Sequence, residues 1–177
     1  LRIEATHQYA DFDGGGVDVA IRYGRARATG LKLEALLKVQ SLPVCAPTLM
    51  QKNLNGISDL RNQVLIHVGA QPQAWRAWCN DVGVPLFEPR GNLWFDNVLA
   101  ALEAAEHGLG VALAMHPLIQ RRASFGRTLV APFPDAIGGE GETIYLAVRP
   151  EQTRDKRISA VRHWIVDAVA RVAERTI

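Results

Sequence analysis

Nowhere does this 177-residue sequence contain an apolar run approaching the roughly 20 residues a membrane-spanning helix needs, which excludes a helical span within it. Cysteine is scarce: Cys45 and Cys79 lie far apart and in no CxxC or Cys/His pattern. They read as packed thiols in a reducing compartment, with a single bridge as the alternative. Charge of one sign is lacking as well, since 20 Lys+Arg against 18 Asp+Glu leave a net charge of +2. That falls short of the clustered basic charge by which a nucleic-acid-binding domain is recognised. The opening residues, Leu1-Arg2-Ile3-Glu4-Ala5-Thr6, resemble neither a signal peptide nor a Met-led start, and we expect a piece of a longer protein.

Signatures of catalysis are missing too: no nucleophile elbow, phosphate-cradling loop or metal cluster is present in the sequence. The run Gly14-Gly15-Gly16 precedes a strand pattern and not a helix, so it reads as a turn. His7, His67, His107, His116 and His163 show no ligand spacing with Cys, Asp or Glu, so no metal and no other cofactor is expected.

What remains is a globular composition, 48% hydrophobic and 21% charged, in which strand and helix patterns alternate. Residues 2–10 alternate with period two and suit a short strand. Val17-Asp18-Val19-Ala20-Ile21 is β-branched, apolar and bounded by glycines, the pattern of a buried strand ending at Arg22-Tyr23-Gly24. A second extended region runs from Leu31 to Val44, and Pro43 and Pro47 place its end near a sheet edge or between units. Weak helical spacing over Thr48–Asn55 leads through Ser58-Asp59-Leu60 to a strand at Val64–Val68. Trp75, Trp78, Cys79 and Val82 then share helical spacing, with Gly83 and Pro85 as a stop. A helix over Asn97–His107 has Asp96 as its expected cap and Gly108 at its C-terminal turn, and Val111–Met115 follows as a buried strand. Residues 134–142 are polar and glycine-rich, which suggests a mobile loop. Thr143–Val148 reads as a strand, and Arg157–Val172 as an amphipathic helix with Ile158, Val161, Ile165, Ala168 and Val172 on one stripe. Such alternation implies an α/β fold with mainly parallel pairing and no internal repeat.

In α/β sheets ligands gather at the C-terminal ends of strands and at helix N-termini, which singles out three places. At Arg22-Tyr23-Gly24 a guanidinium could grip a carboxylate in a two-point fork. A solvated arginine beside a packed tyrosine fits the same residues. At Phe95-Asp96-Asn97 a helix start favours an anionic ligand end, and a plain N-cap with a packed aromatic is the bland alternative. Met115-His116-Pro117 ends its strand with His67-Val68 as the expected neighbour, although such histidines often satisfy only a local hydrogen bond. Trp75 and Trp78 read as core.

Taken in order, Asp11-Phe12 and Gly16-Val17-Asp18-Val19-Ala20-Ile21-Arg22-Tyr23-Gly24, then Leu42-Pro43-Val44-Cys45-Ala46-Pro47, resemble the effector domain of LysR-type transcriptional regulators. The similarity is greatest to the glycine-cleavage-activator-like branch. It continues through Leu65-Ile66-His67, Trp75-Arg76-Ala77-Trp78, Phe95-Asp96-Asn97, Gly108-Leu109-Gly110-Val111-Ala112-Leu113 and Gly126-Arg127-Thr128-Leu129-Val130. The resemblance implies a type 2 periplasmic-binding-protein-like α/β fold, with two Rossmann-like lobes joined by two crossover strands near Leu42–Ala46 and Tyr145–Val148. Lobe one would combine residues 1–43 with 149–177, and lobe two would be 44–148. A small-molecule cleft at the hinge is implied, and matching positions carry Arg22, Tyr23, His67, Phe95, Asp96, Asn97, Met115 and His116 to it. Family members also have an N-terminal winged helix-turn-helix, a linker helix, and an opening strand and helix of lobe one. None of these has a counterpart in the sequence, so DNA binding is not expected of these residues.

The expected role is a cytoplasmic switch, not an enzyme: a small organic effector, with a carboxylate as the suggested group, favours one of two arrangements. Homodimers or tetramers, promoter DNA contacted only through the preceding domain, and no membrane complete the expected partners. Pairing is expected through apolar surface on a lobe-one helix and a lobe-two strand. An extracytoplasmic solute-binding protein of the same fold and an α/β enzyme are the alternatives.

Overall fold

The computed structural model describes residues 1–6, 10–12, 14, 16–24, 30–138 and 142–173. The chain divides into two compact units, Leu1–Lys38 with Gly141–Ile177, and Val39–Glu140. It therefore passes from one unit to the other twice.

In the first unit, strands β1 (Val19–Gly24), β2 (Lys32–Lys38) and β7 (Thr143–Val148) form one sheet in the order β1-β7-β2. Both pairings are antiparallel, with Ile21 opposite Leu146 and Glu34 opposite the same Leu146. Leu146 and Val148 are buried, and so are Ile158 and Ile165 on helix α4 (Lys156–Ala173). The apolar stripe read from the sequence is thus the packed face of α4.

The second unit holds a four-stranded sheet, β3-β6-β4-β5, from β3 (Gln40–Val44), β4 (Val64–Val68), β5 (Gly91–Phe95) and β6 (Val111–His116). Strands β4, β5 and β6 run parallel, and β3 is antiparallel to β6. Pro43 sits on β3 at the sheet edge, where a residue without an N–H is tolerated. Pleating sends alternate residues to opposite faces. On one face Leu42, Val44, Ile66, Ala112 and Ala114 pack with Ala101, Leu102, Ala104 and Ala105 of α3 (Val98–Glu106). On the other, Cys45, Leu65 and Val111 pack with Leu54, Leu60 and with Trp75, Trp78 and Cys79 of α2 (Ala74–Asp81). A short helix, α1 (Pro47–Asn53), precedes them.

Both indoles are anchored as well as buried. The two rings meet edge to face with centroids 5.5 Å apart. Trp75 Nε1 donates to the Ile66 carbonyl at 3.0 Å, and Trp78 Nε1 to that of Ala136 at 2.9 Å. Gly110 marks a close approach, because a Cβ there would lie 2.4 Å from the Val64 carbonyl oxygen. Cys45 and Cys79 are free and buried in the same cluster, so no bridge joins them. Burial pushes the Cys45 thiol up to about 11, against a smaller opposing pull from a backbone hydrogen bond at Met50, and it raises Cys79 too.

Several expectations are corrected. Pairing is not mainly parallel: the first unit is antiparallel throughout its described ladder, because β7 enters between β1 and β2 from the opposite direction. The boundaries expected at 43/44 and 148/149 fall instead after Lys38 and before Gly141. The reason is hydrogen bonding: β3 pairs along its length with β6, and β7 lies between β1 and β2, so each strand belongs wholly to one unit. Residues 1–6 form no strand, since no partner strand among the described residues satisfies their backbone groups, and Leu1 and Ile3 are exposed. Residues 7–9 of that expected strand, like Asp13 and Gly15, lie outside the described residues. Strand β1 begins at Val19 and takes in Arg22, Tyr23 and Gly24. Of the expected mobile loop, residues 139–141 lie outside the described residues, while 134–138 is pinned: Gly138 N donates to the Ser41 carbonyl at 3.0 Å and its carbonyl accepts from Ser41 N at 2.6 Å. Strand β5 was not expected at all, since Leu93-Trp94-Phe95 shows no polar alternation.

Candidate functional site

Because β4, β5 and β6 run parallel, their C-terminal ends share one edge of the second unit's sheet. His67, Phe95, Asp96, Asn97, Met115 and His116 all collect there. The pleat divides them between faces. His67 lies opposite Trp94 in register, and Met115 is four residues on from Val111, which places these on the α2 side. Phe95, packed against the α3 core, and His116, four residues on from Ala112, take the other side.

On the α2 side the His67 ring stacks on Trp94, with centroids 4.4 Å apart and planes inclined by 16°. Its Nε2 lies 2.7 Å from the Asn92 side-chain oxygen, so the ring N–H donates to that amide. Trp94 remains 56% exposed. Neither Asn92 nor Trp94 was singled out from the sequence, and the only signal was an aromatic, β-prone run after Gly91.

At the helix start Asn97, not Asp96, is the cap: its backbone is extended and its side-chain oxygen accepts from Ala100 N at 2.9 Å. The helix begins one residue later than expected. Asp96 instead accepts from the Asn97 side-chain amide at 2.8 Å and keeps an exposed carboxylate beside the first free N–H groups of α3. That carboxylate opposes an anionic ligand approaching the same amides directly. His116 is half-buried, and desolvation holds its imidazole below the ordinary value. The Gln120 amide lies 3.2 Å from His116 Nε2, a contact in which a neutral ring accepts. The edge therefore offers hydrogen-bonding side chains on both faces around an aromatic surface, with the Asp96 carboxylate at the helix start.

Arg22 and Tyr23 belong to the first unit and point to opposite faces of its sheet. Tyr23 pairs with Ile144 on the α4 side, and Arg22 with Tyr145 on the other. The Arg22 guanidinium lies 5.7 Å from the centroid of the buried Phe12 ring, a cation–π arrangement. The Phe12 carbonyl accepts in turn from Arg149. Among the described residues no group of three or more His, Cys, Asp or Glu is placed to hold a metal ion, and no helix is long and apolar enough to cross a membrane.

The LysR substrate binding domain family matches residues 1–170. The chain belongs to that family. The glycine cleavage system transcriptional activator of Escherichia coli (strain K12) is 34% identical to this LysR-family chain over 177 residues, 99% of the chain and 57% of that protein. The chain thus spans little more than half the length of this relative. The effector domain of the transcriptional regulator AmpR of Pseudomonas aeruginosa superposes with a TM-score of 0.82 at 26% identity, covering 98% of this chain and 82% of that one. The AmpR effector binding domain from Citrobacter freundii, at 22% identity and a TM-score of 0.76 over 94% of this chain and 81% of that one, shares the fold. The expected family and its periplasmic-binding-protein-like α/β fold are thereby established, and the relatives named are transcription regulators rather than enzymes.

Proposed function

We propose that this LysR-family chain senses a small organic effector for a bacterial transcription regulator, and that it binds the effector without transforming it. The observation that carries the reading is the convergence of His67, Phe95, Asn97 and His116 at the common C-terminal edge of three parallel strands, where ligands of α/β sheets gather. The relatives supply the context of regulation. Effector binding acts by differential affinity for two conformations of the chain, since a molecule that binds both equally shifts nothing. Promoter DNA is contacted by a part of the regulator outside these residues, and the whole protein works in the cytoplasm as a homodimer or tetramer. Trp164 on α4 and Leu93 and Trp94 on β5, apolar and exposed, are the surfaces that suit such pairing.

The effector carries a carboxylate in this reading, received at the strand-end edge of the second unit by the first amides of α3 from the side away from the Asp96 carboxylate, which repels a direct approach. Its body rests by Phe95 on the α3 face of the sheet. A thermal-shift panel of carboxylate metabolites, each beside its amide counterpart, tests this. A carboxylate should stabilise the protein by a saturable shift that its amide does not give, and His116→Ala and Asn97→Ala should each weaken binding about tenfold or more in calorimetry. Unchanged affinity in Asn97→Ala removes the start of α3 from the site, and chemical conversion of the bound molecule replaces sensing with catalysis.

A further inference from the structure

The first unit contains a cavity of about 260 Å³ lined by Lys32, Glu34, Leu146, Val148, Ile158 and Arg162, with Thr153 and Ser159 at its margin. Register explains its construction. Lys32 opposes Val148 and Glu34 opposes Leu146, so all four side chains stand on the α4 face of β2 and β7. Helix α4 brings Ile158, Ser159 and Arg162 over them, and the short 3₁₀ turn Pro150–Arg154 closes one end with Thr153. The floor is apolar, with Leu146, Val148 and Ile158 all buried.

The polar groups are biased in one direction. Glu34 is the only acid of the lining, and it is already taken: Arg162 donates to it through Nε at 2.5 Å and Nη2 at 2.6 Å. Thr153 donates its hydroxyl to the Pro150 carbonyl. Among the described residues the Lys32 ammonium forms no ion pair, and neither Arg162 Nη1 nor the Ser159 hydroxyl has a hydrogen-bond partner. Donors without acceptors around an apolar floor suit a ligand with the opposite pattern. The space exceeds the ~150 Å³ that holds benzene in a dry engineered cavity, so a ring-sized body and a head group both fit.

We propose that the first unit carries its own binding site for a compact amphipathic anion, a monocarboxylate with an apolar body, seated between β2, β7 and α4 and distinct from the strand-end site of the second unit. The carboxylate meets Lys32, Ser159 and Arg162 Nη1, and the body lies on Leu146, Val148 and Ile158. Occupancy also draws Arg162 away from Glu34, and so loosens one tie between α4 and β2.

Benzoate is a suitable probe, and benzylamine, with the same ring and the opposite charge, is its control. Followed by amide NMR shifts, benzoate should saturate in the millimolar range expected for so few atoms, moving Lys32, Leu146 and Ser159 and leaving Asn97 and His116 in place. Lys32→Met should weaken it about tenfold, and Ser159→Leu, which fills the space, should abolish it. The site is overturned if benzoate moves none of the three resonances, if benzylamine moves them equally, or if both variants bind benzoate as the parent does.

Discussion

The two units reach their folds by different means. In the second, both faces of a four-stranded sheet are covered, and two buried clusters hold three anchored parallel strand ends. In the first, among the described residues, three strands with antiparallel pairing carry one long helix, β1 stands at the edge with Ile21 61% exposed, and the ion pair Glu34–Arg162 ties helix to strand. Apolar burial is the dominant stabilising force and surface ion pairs are minor. The second unit is therefore the rigid platform and the first the more easily loosened.

Removing the anchor of the α2 core is the largest blow that comparison predicts. Trp78 is 1% exposed and its Nε1 holds the Ala136 carbonyl, so Trp78→Ala should cost about 4 kcal/mol in urea unfolding, by cavity and lost hydrogen bond together. The loss should appear in the second unit, with the α4 amides of the first keeping their exchange protection; equal loss in both would merge the two units into one cooperative block. Gly110→Ala is expected next, at about 3 kcal/mol, because the added Cβ meets the Val64 carbonyl at 2.4 Å and a β4 backbone inside a sheet cannot retreat. A wild-type melting curve for this variant would mean that the β4–β6 approach is looser than drawn.

Much of the platform was legible in the sequence, and the reason is periodicity. Val64–Val68, the Trp75/Trp78 helix and the stripe of α4 each carry their own pattern, so local chemistry sufficed to place them. Where structure depends on partners the sequence was mute. Residues 1–6 alternate as a strand should, yet a strand needs a neighbour, and among the described residues they pair with none. Strand β5 is the converse, a ladder made by β4 and not by its own pattern. In the candidate site, the sequence drew attention to the strand ends and the helix start, but Asn92, Trp94 and Gln120 emerged only from cross-strand register and one helical turn. The cap moved from Asp96 to Asn97 because both residue types cap equally well, and only backbone geometry separates them.

Within the platform, one charged cluster sharpens the contrast. Glu106, with its side chain 16% exposed, accepts from Arg122 Nε at 2.6 Å and from the Ser124 hydroxyl at 2.6 Å, tying the end of α3 to the segment after β6. Burial alone would raise its carboxyl, but the hydrogen bonds from Ser124 and Arg122 outweigh that and hold it below its ordinary value of 4.5. Its stabilisation is therefore complete above that value and is lost as the pH falls through the lower folded one. Glu106→Gln should cost about 1.5 kcal/mol at pH 7 and flatten the acid limb of the stability curve relative to the parent. Parallel acid limbs would assign the acid sensitivity elsewhere.

The matching pair in the first unit should give the smallest effect. Glu34 and Arg162 make a two-point contact at least as short as that of Glu106, but their side chains are 31% and 39% exposed, so water already stabilises each charge separately. Geometry argues for the upper end of the range for surface pairs, and exposure discounts it. A double-mutant cycle of Glu34→Gln with Arg162→Met should therefore return a coupling of about 0.5–1 kcal/mol, shrinking as salt is added. A coupling of about 3 kcal/mol, insensitive to salt, would make the ion pair the first unit's equivalent of a core and erase the distinction between platform and loosened unit. A small one means that a ligand reaching Arg162 has little to overcome, so the contact that holds α4 to β2 is also the contact most readily exchanged.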